Sequence, residues 1–475
     1  MHSVTLGPEL AHAFGQRYDS PVPLSLFVFG GAAVVMLSFL LIYRREVTAP
    51  AGGPPADEIV PPRAGPVPTT ISLLLLAFLI VAGLFGSQEV PENIVPTTFW
   101  VYLWVAIPLA VGVLGDFTGP INPFAAIARG AGSSRVRRTV LSTSDPLPWP
   151  AQLGYWPAVV FFFLVVIGEL VVNQQATLPR VSAVSFLIYA VLTAAGALVY
   201  GADNWVRHGE LFTVLFATWG KLGWFRFRAP GRRGFGGGLE VPFEAVPSRV
   251  VFVLLLLVSV TFDGLLSTPQ WKRFTGALPG DVEPGTGLNT VVATLTLVVL
   301  TGLMLTLFGM FAVAAARAGR HGEKPLGALT GLLPSLLPIS FGYLLAHYIQ
   351  YILINGQLII PLLGDPLGRG QSFLPYPFND DYTVNTGVMP TSVVWYFQIV
   401  VIVLAHIVAV VLAHRYLVIR SEGTELARRA EWPWLVAMVG YTMVSLWLLA
   451  QPLVAEPSAG HEAGPAVGSV GHPSR

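Results

Sequence analysis

The stretch VVWYFQIVVIVLAHIVAVVLAHRY, residues 393–416, is long and apolar enough to cross a membrane as one helix. Two imidazoles, those of His406 and His414, interrupt it. Ionisable side chains inside a bilayer are costly, and they usually face the interior of a helix bundle or a water-filled cavity. This segment therefore predicts a helical membrane protein with polar groups between its helices.

Composition supports the same class for the whole chain. Of its 475 residues, 53% are hydrophobic and only 11% are charged, whereas soluble proteins carry about 25% charged residues. The formal net charge of +1 and the lack of a basic stripe do not predict a nucleic-acid partner. The absence of cysteine excludes disulfides, thiolate metal sites and a cysteine nucleophile.

A membrane-spanning helix needs about 20 mostly apolar residues. By this criterion the sequence predicts an all-α polytopic protein with ten spans. They are 22–43, 70–87, 98–115, 155–173, 182–201, 249–266, 289–316, 327–353, 391–416 and 432–451. The aromatic stretch 209–225 carries a central lysine and is predicted as a helix in the membrane interface.

The distribution of Lys and Arg predicts the orientation in a cytoplasmic membrane, because cytoplasmic loops are enriched in these residues. An orientation with both termini outside places most of the 27 basic residues in inner loops. The single transmembrane domain is predicted over 22–453, between an outer tail 1–21, which lacks the apolar run of a signal peptide, and a disordered tail 454–475. It contains an inner linker 44–69, an inner interfacial helix with a Gly-rich loop 202–248, and an ordered outer loop 354–390.

The two imidazoles of the opening stretch lie eight residues apart, which is about 12 Å of helical rise and about 80° of rotation. They cannot bind one metal ion, because zinc requires nitrogen ligands at about 2 Å. His414 stands beside Arg415 at the predicted inner end and is expected to reach interfacial water. His406 falls near the middle of the bilayer, so we expect it to have a partner inside the bundle.

The span 327–353 carries a polar stripe. Tyr343, His347, Gln350 and Tyr351 recur at steps of three and four residues and so share one helix face. Such a stripe indicates a face that packs inward or lines a cavity. The prolines at 334 and 338 leave carbonyls free on the same helix and favour a kink.

Two acids are predicted at a similar depth to His347. Glu169 lies in the outer third of the span 155–173, and Asp263 lies near the outer end of 249–266. Two carboxylates and one imidazole on three helices form one hypothesis for a divalent metal site that activates water. A proton or cation path is the alternative. Each acid also has a structural explanation of its own: Asp263 could cap the loop that follows it, and Glu169 could reach interfacial water.

The inner ends of two spans carry Asp116, Asn122, Asp203 and His208 among glycines and prolines. These residues are candidates for an inner gate, although the chemistry of tight turns or short re-entrant pieces is enough to explain them. His12 would bind copper only at a mature N-terminus, and residues 1–11 are too short for a cleavable signal. The chain has no hydrolase nucleophile elbow, phosphate-binding loop, HExxH sequence or dinucleotide fingerprint.

Four tracts, AHAFGQRYDSPVPL, SLLPISFGYLLAHYIQYILINGQ, DPLGRG and VVWYFQIVVIVLAHIVAVVLAHR, resemble polytopic membrane proteins commonly described as fenitrothion hydrolase. The resemblance runs along most of the chain and is densest in its last third. It implies hydrolysis of an organophosphate ester, and it assigns no catalytic role to a particular residue. The residues that match the recurring tracts are His12, Asp19, Asp263, His347, Gln350, His406 and His414.

Three functional hypotheses follow. The leading one is a transporter of a small solute or ion that uses buried His, Asp and Glu residues. The second is a membrane-embedded hydrolase with a divalent metal held by Glu169, Asp263 and His347. The third is a cofactor-binding subunit of a membrane assembly, in which His347 and His406 ligate haem, although their different predicted depths count against it.

Overall fold

The structure is a computed structural model that describes residues 23–42, 59–61, 63–227, 230–278, 286–379 and 381–450. Within these ranges the chain is all-helical and contains no β-strand. The predicted tails, and with them His12 and Asp19, lie outside the described residues, as does most of the linker 44–69.

Long helices alternate with short ones along the chain. The first ten are α1 (Leu24–Ile42), α2 (Pro66–Phe85), α3 (Ile94–Leu114), α4 (Pro123–Ala131), α5 (Ser134–Leu141), α6 (Trp156–Leu170), α7 (Asn173–Ala176), α8 (Pro179–Tyr200), α9 (Ala202–His208) and α10 (Leu211–Trp219). The rest are α11 (Pro247–Leu266), α12 (Pro269–Gly276), α13 (Gly287–Ala318), α14 (Pro325–Asn355), α15 (Ile359–Gly364), α16 (Thr391–Arg420) and α17 (Thr424–Ala450).

Nine helices among the described residues are long and apolar enough to cross a membrane. They match nine of the ten predicted spans, and many of their outward side chains are exposed leucine, valine and isoleucine, as contact with lipid requires. The one predicted span without such a match, 155–173, corresponds to α6, which has only 15 residues. At 1.5 Å per residue this helix is about 22 Å long, shorter than the bilayer core of about 30 Å.

The interior of the bundle is formed by α11 and α14, whose side chains are buried along most of their length. Pro334 and Pro338 lie inside α14, which remains one helix from Pro325 to Asn355. A run of π-helix, Thr97–Ala106, occupies the middle of α3. Such widened turns are rare and are frequent at functional sites.

The stretch predicted as an interfacial helix differs from that expectation. Its helix, α10, is only nine residues long and is buried on nearly all sides, so no face is left for the headgroup region. Its N-terminus is capped by Glu210, a fully buried carboxylate that accepts from the backbone of Phe212 and Thr213 and from Asn122 and Tyr189. Because Asn122 also caps α4, the two short helices begin at one shared polar cluster.

Candidate functional site

Four helices bring polar side chains together inside the bundle. Trp104 comes from the π-helical part of α3, Glu169 from the end of α6, and Asp263 from the end of α11. His347 and Tyr348 come from α14. We call these five residues, whose side chains all donate or accept hydrogen-bonded protons, the proton network.

Short hydrogen bonds connect the five side chains. The indole N–H of Trp104 donates to Glu169 Oε2 at 2.7 Å, and the hydroxyl of Tyr348 donates to Glu169 Oε1 at 2.7 Å. The same hydroxyl lies 3.2 Å from Asp263 Oδ2, which is 2.6 Å from His347 Nε2. The sequence leaves open whether Glu169, Asp263 and His347 meet; in the structure they do, through a tyrosine between the two acids.

The position of Tyr348 permits a proton to be shared between the two acids. A tyrosine hydroxyl carries one hydrogen, yet that of Tyr348 is within bonding distance of both carboxylates. Both contacts form together when one acid is protonated and donates to the tyrosine oxygen while the tyrosine donates to the other acid. Reversing the two hydrogen bonds moves one proton between Asp263 and Glu169. This arrangement is chemically suited to proton transfer.

A cavity of about 40 Å³ adjoins this point, and both Glu169 and Tyr348 line it. The rest of its wall is mostly apolar and includes Phe162, Trp219 and Leu256. One water molecule needs about 10–15 Å³ of such space and two to four polar partners. The cavity is therefore large enough for a few water molecules beside the carboxylate, and too small for an organic solute.

The same atoms fit a divalent metal poorly. Asp263 Oδ2 and His347 Nε2 are hydrogen-bonded to each other, and both oxygens of Glu169 accept hydrogen bonds. Among the described residues, no three His, Asp or Glu side chains are grouped as a metal ion requires. Metal binding by Glu169, Asp263 and His347 would need these hydrogen bonds to break.

The other residues of the predicted stripe surround the network. The ring of Tyr343 is buried and lies 6.3 Å from that of His347, and the ring of Tyr351 lies 5.9 Å from that of Tyr348. Gln350 is half-buried on the same helix. None of the three contributes a hydrogen bond to the five side chains of the network within the described structure.

The two imidazoles of α16 differ from each other. His406 is buried, and its Nδ1 lies 2.8 Å from the carbonyl oxygen of Ile402 on its own helix. His414 was expected to reach interfacial water, and this expectation is wrong. Its side chain is only 2% exposed, and its Nδ1 lies 2.9 Å from Glu431 of α17, because the start of α17 folds back over the end of α16.

The candidates for an inner gate occupy turns. Asp116 accepts from the backbone and the hydroxyl of Thr118, and burial raises its pKa. Asp203 lies in the first turn of α9. The imidazole of His208 stacks on Trp149, with ring centroids 5.3 Å apart, and burial lowers its pKa. The contacts of Asp116 and His208 and the helix position of Asp203 explain the three residues structurally, and none of the three belongs to the proton network.

Sequence reasoning missed Tyr348, Trp104, Glu210 and Glu431. Tyr348 was overlooked because it is one residue from His347 and thus about 100° away around the helix, off the predicted stripe. Trp104 and Glu431 are identified only by their partners on other helices. The signal for Glu210 was local, since an acid directly before an apolar helical run is typical of an N-cap.

Comparison with protein-family models, with curated proteins and with solved structures finds no match to this chain. The class that fold and composition define is a polytopic all-α integral membrane protein. Any narrower assignment depends on the site alone.

Proposed function

We propose that this protein is a proton-coupled transporter of a small solute, and that the proton network is its coupling site. It would act as a multi-pass protein of the cytoplasmic membrane, in which both termini lie outside only if the short helix α6 also crosses the bilayer. The observation that carries the proposal is the hydroxyl of Tyr348, which is within hydrogen-bond distance of two carboxylates on different helices. Ionisable groups inside membrane helices that contact one another are the usual components of proton relays.

Coupling requires that protonation changes helix packing, and the network provides that link. Each of its hydrogen bonds joins two different helices: α3 to α6, α6 to α14, and α11 to α14. A proton that moves from Asp263 to Glu169 changes which of these contacts is ionic. Ionic contacts in a low-dielectric interior are much stronger than neutral ones, so the relative stability of helix arrangements changes with the proton.

The hydrolase implied by the resemblance in sequence remains a separate prediction. It would require a metal ion or an equivalent way of activating water near Glu169, and the ligand atoms there are already hydrogen-bonded to one another. For this reason the transport proposal accounts better for the geometry.

The test is proton movement in liposomes that contain the purified protein and a trapped pH-sensitive dye. A potassium gradient with valinomycin drives protons, alone and with a panel of small acids, amines, sugars and inorganic ions. We expect a proton flux above that of empty liposomes, and a decrease on the order of a hundredfold in Glu169→Gln. The matched control is Glu425→Gln, because Glu425 is exposed and, among the described residues, its ion pair is with Arg429 one turn away.

The absence of wild-type proton movement with every member of the panel would refute the proposal. The same preparation tests the alternative: metal-dependent release of an aryl alcohol from an aryl phosphotriester would support a hydrolase instead.

A further inference from the structure

His406 and His414 are buried ionisable groups that the proton network does not include. Their depth relative to His347 follows from the contacts between α14 and α16. The side-chain amide of Gln398 on α16 donates to the carbonyl oxygen of Ala346 on α14 at 2.9 Å. Because Ala346 precedes His347, the imidazole of His347 lies at about the level of Gln398.

The two helices run in opposite directions. Near the other end of the pair, the hydroxyl of Tyr416 fills the space at Gly331, where an added Cβ would overlap it. Moving along α16 from Gln398, His406 is eight residues away and His414 a further eight, so each step is about 12 Å. The three imidazoles of His347, His406 and His414 therefore extend over about 24 Å of a bilayer core that is about 30 Å thick.

His347 is at the upper end of this series and His414 is at the lower end, and the two ends have the same chemistry. His414 and Glu431 form a buried imidazole–carboxylate contact of 2.9 Å, with both side chains 2% exposed. A cavity of about 10 Å³ adjoins both residues. Thus a buried His–acid pair lies near each side of the bundle, Asp263–His347 at one and Glu431–His414 at the other.

The middle imidazole, that of His406, has one ring nitrogen that can accept a hydrogen bond. His406 Nδ1 contacts a backbone carbonyl, which requires Nδ1 to be the protonated nitrogen and leaves Nε2 as an acceptor. Nε2 is buried and has no hydrogen-bond partner within the described part of the chain. Buried polar atoms are rarely left unpaired. An imidazole in this tautomer can take a proton at Nε2 and release the same proton from it.

Hydroxyl groups lie between the upper pair and His406. The hydroxyl of Tyr343 packs against Gly264 and is buried without a partner in the described ranges, and the hydroxyl of Ser445 lies near that of Tyr441. Thr261 and Tyr441 are hydrogen-bonded at 2.5 Å. Tyr441 is ten residues from Glu431, about 15 Å back along α17, which brings it close to the level of His406.

We infer that the proton network continues across the membrane through His406 to the His414–Glu431 pair, which is its opposite terminus. The hydroxyl groups and water bridge the interval between His347 and His406, water bridges the interval between His406 and His414, and one proton enters and leaves each station without a change in oxidation state. This inference rests on the proposed function. It adds a middle station and a second terminus on α16 and α17.

The test compares His406→Phe, His414→Gln and Glu431→Gln with wild type and Glu425→Gln in the dye-loaded liposomes. We expect each of the first three to lower proton flux at least tenfold. Their melting temperatures in detergent are measured in parallel, because a relay residue lowers flux at nearly unchanged stability, whereas a structural residue lowers both. If His406→Phe does not fold, the two variants of the lower pair decide.

The results separate this inference from the function on which it rests. Wild-type flux that is lost in Glu169→Gln but kept in all folded variants of His406, His414 and Glu431 would overturn the continued path and leave the proposed function standing. A decrease in flux that is accompanied in each variant by a lower melting temperature would also overturn it. A wild-type protein that moves no protons would remove both.

Discussion

Removing either member of the Asp263–His347 pair should be strongly destabilising, and removing both should add little. The contact is 2.6 Å long, and both side chains are at least 90% buried. His347→Ala leaves the Asp263 carboxylate in the bundle without its imidazole, and Asp263→Ala leaves the imidazole without its acid. Breaking a buried pair in this way costs about 3–5 kcal/mol, so we expect about 3 kcal/mol for each single variant.

The double variant distinguishes a pair from two independent residues. If the side chains act together, Asp263→Ala with His347→Ala costs about 3 kcal/mol as well, because no unpaired charge remains, and the coupling energy is about 3 kcal/mol. Independent residues would give about 6 kcal/mol for the double variant. The measurement is the free energy of unfolding in mixed micelles with increasing sodium dodecyl sulfate, followed by tryptophan fluorescence. Additive losses would refute the reasoning.

Three further predictions follow from individual contacts. Tyr348→Phe should lower proton flux in liposomes about as much as Glu169→Gln, whereas Tyr351→Phe, which removes a hydroxyl outside the network, should not; equal effects would contradict the role of Tyr348. Glu210→Ala should lower the free energy of unfolding by about 3 kcal/mol, since it removes an N-cap and leaves buried donors unpaired; a loss no larger than that of Glu425→Gln would contradict this. Burial raises the pKa of Asp365, but backbone N–H donors outweigh burial and hold that pKa below its usual value. The ionised acid therefore stabilises the loop that follows it, and amide protection there should be lost as the pH falls below about 4, a change that Asp365→Asn should abolish.

Most of the architecture could be predicted from hydropathy, because a bilayer requires about 20 apolar residues for each span and the spacing of such runs is visible in a sequence. The length of α6 was overestimated, because the apolar Val171 and Val172 that follow it lie in a turn and not in the helix. The helix α10 was misassigned because its apolar residues could equally face lipid or protein. Only tertiary contacts show that protein covers it.

The candidate site was predicted in part for a similar reason. The free-energy cost of placing ionisable side chains inside a bilayer indicates that Glu169, Asp263 and His347 are candidates for a functional site. Depth estimates could not show that they meet, and helical periodicity directed attention away from Tyr348. His414 was misjudged because its partner, Glu431, lies directly before the next predicted span, 432–451, and the fold of one helix end over another has no local signal.

The central claim is that a proton is shared between Asp263 and Glu169 through Tyr348. The most direct measurement is infrared difference spectroscopy of the protein in lipid, in light and heavy water, as the pH is varied. We predict a protonated carboxyl band at neutral pH that shifts in heavy water, is altered by Tyr348→Phe, and is absent from the Asp263→Asn, Glu169→Gln double variant. A spectrum in which that band is the same in the double variant as in the wild-type protein would contradict a shared proton.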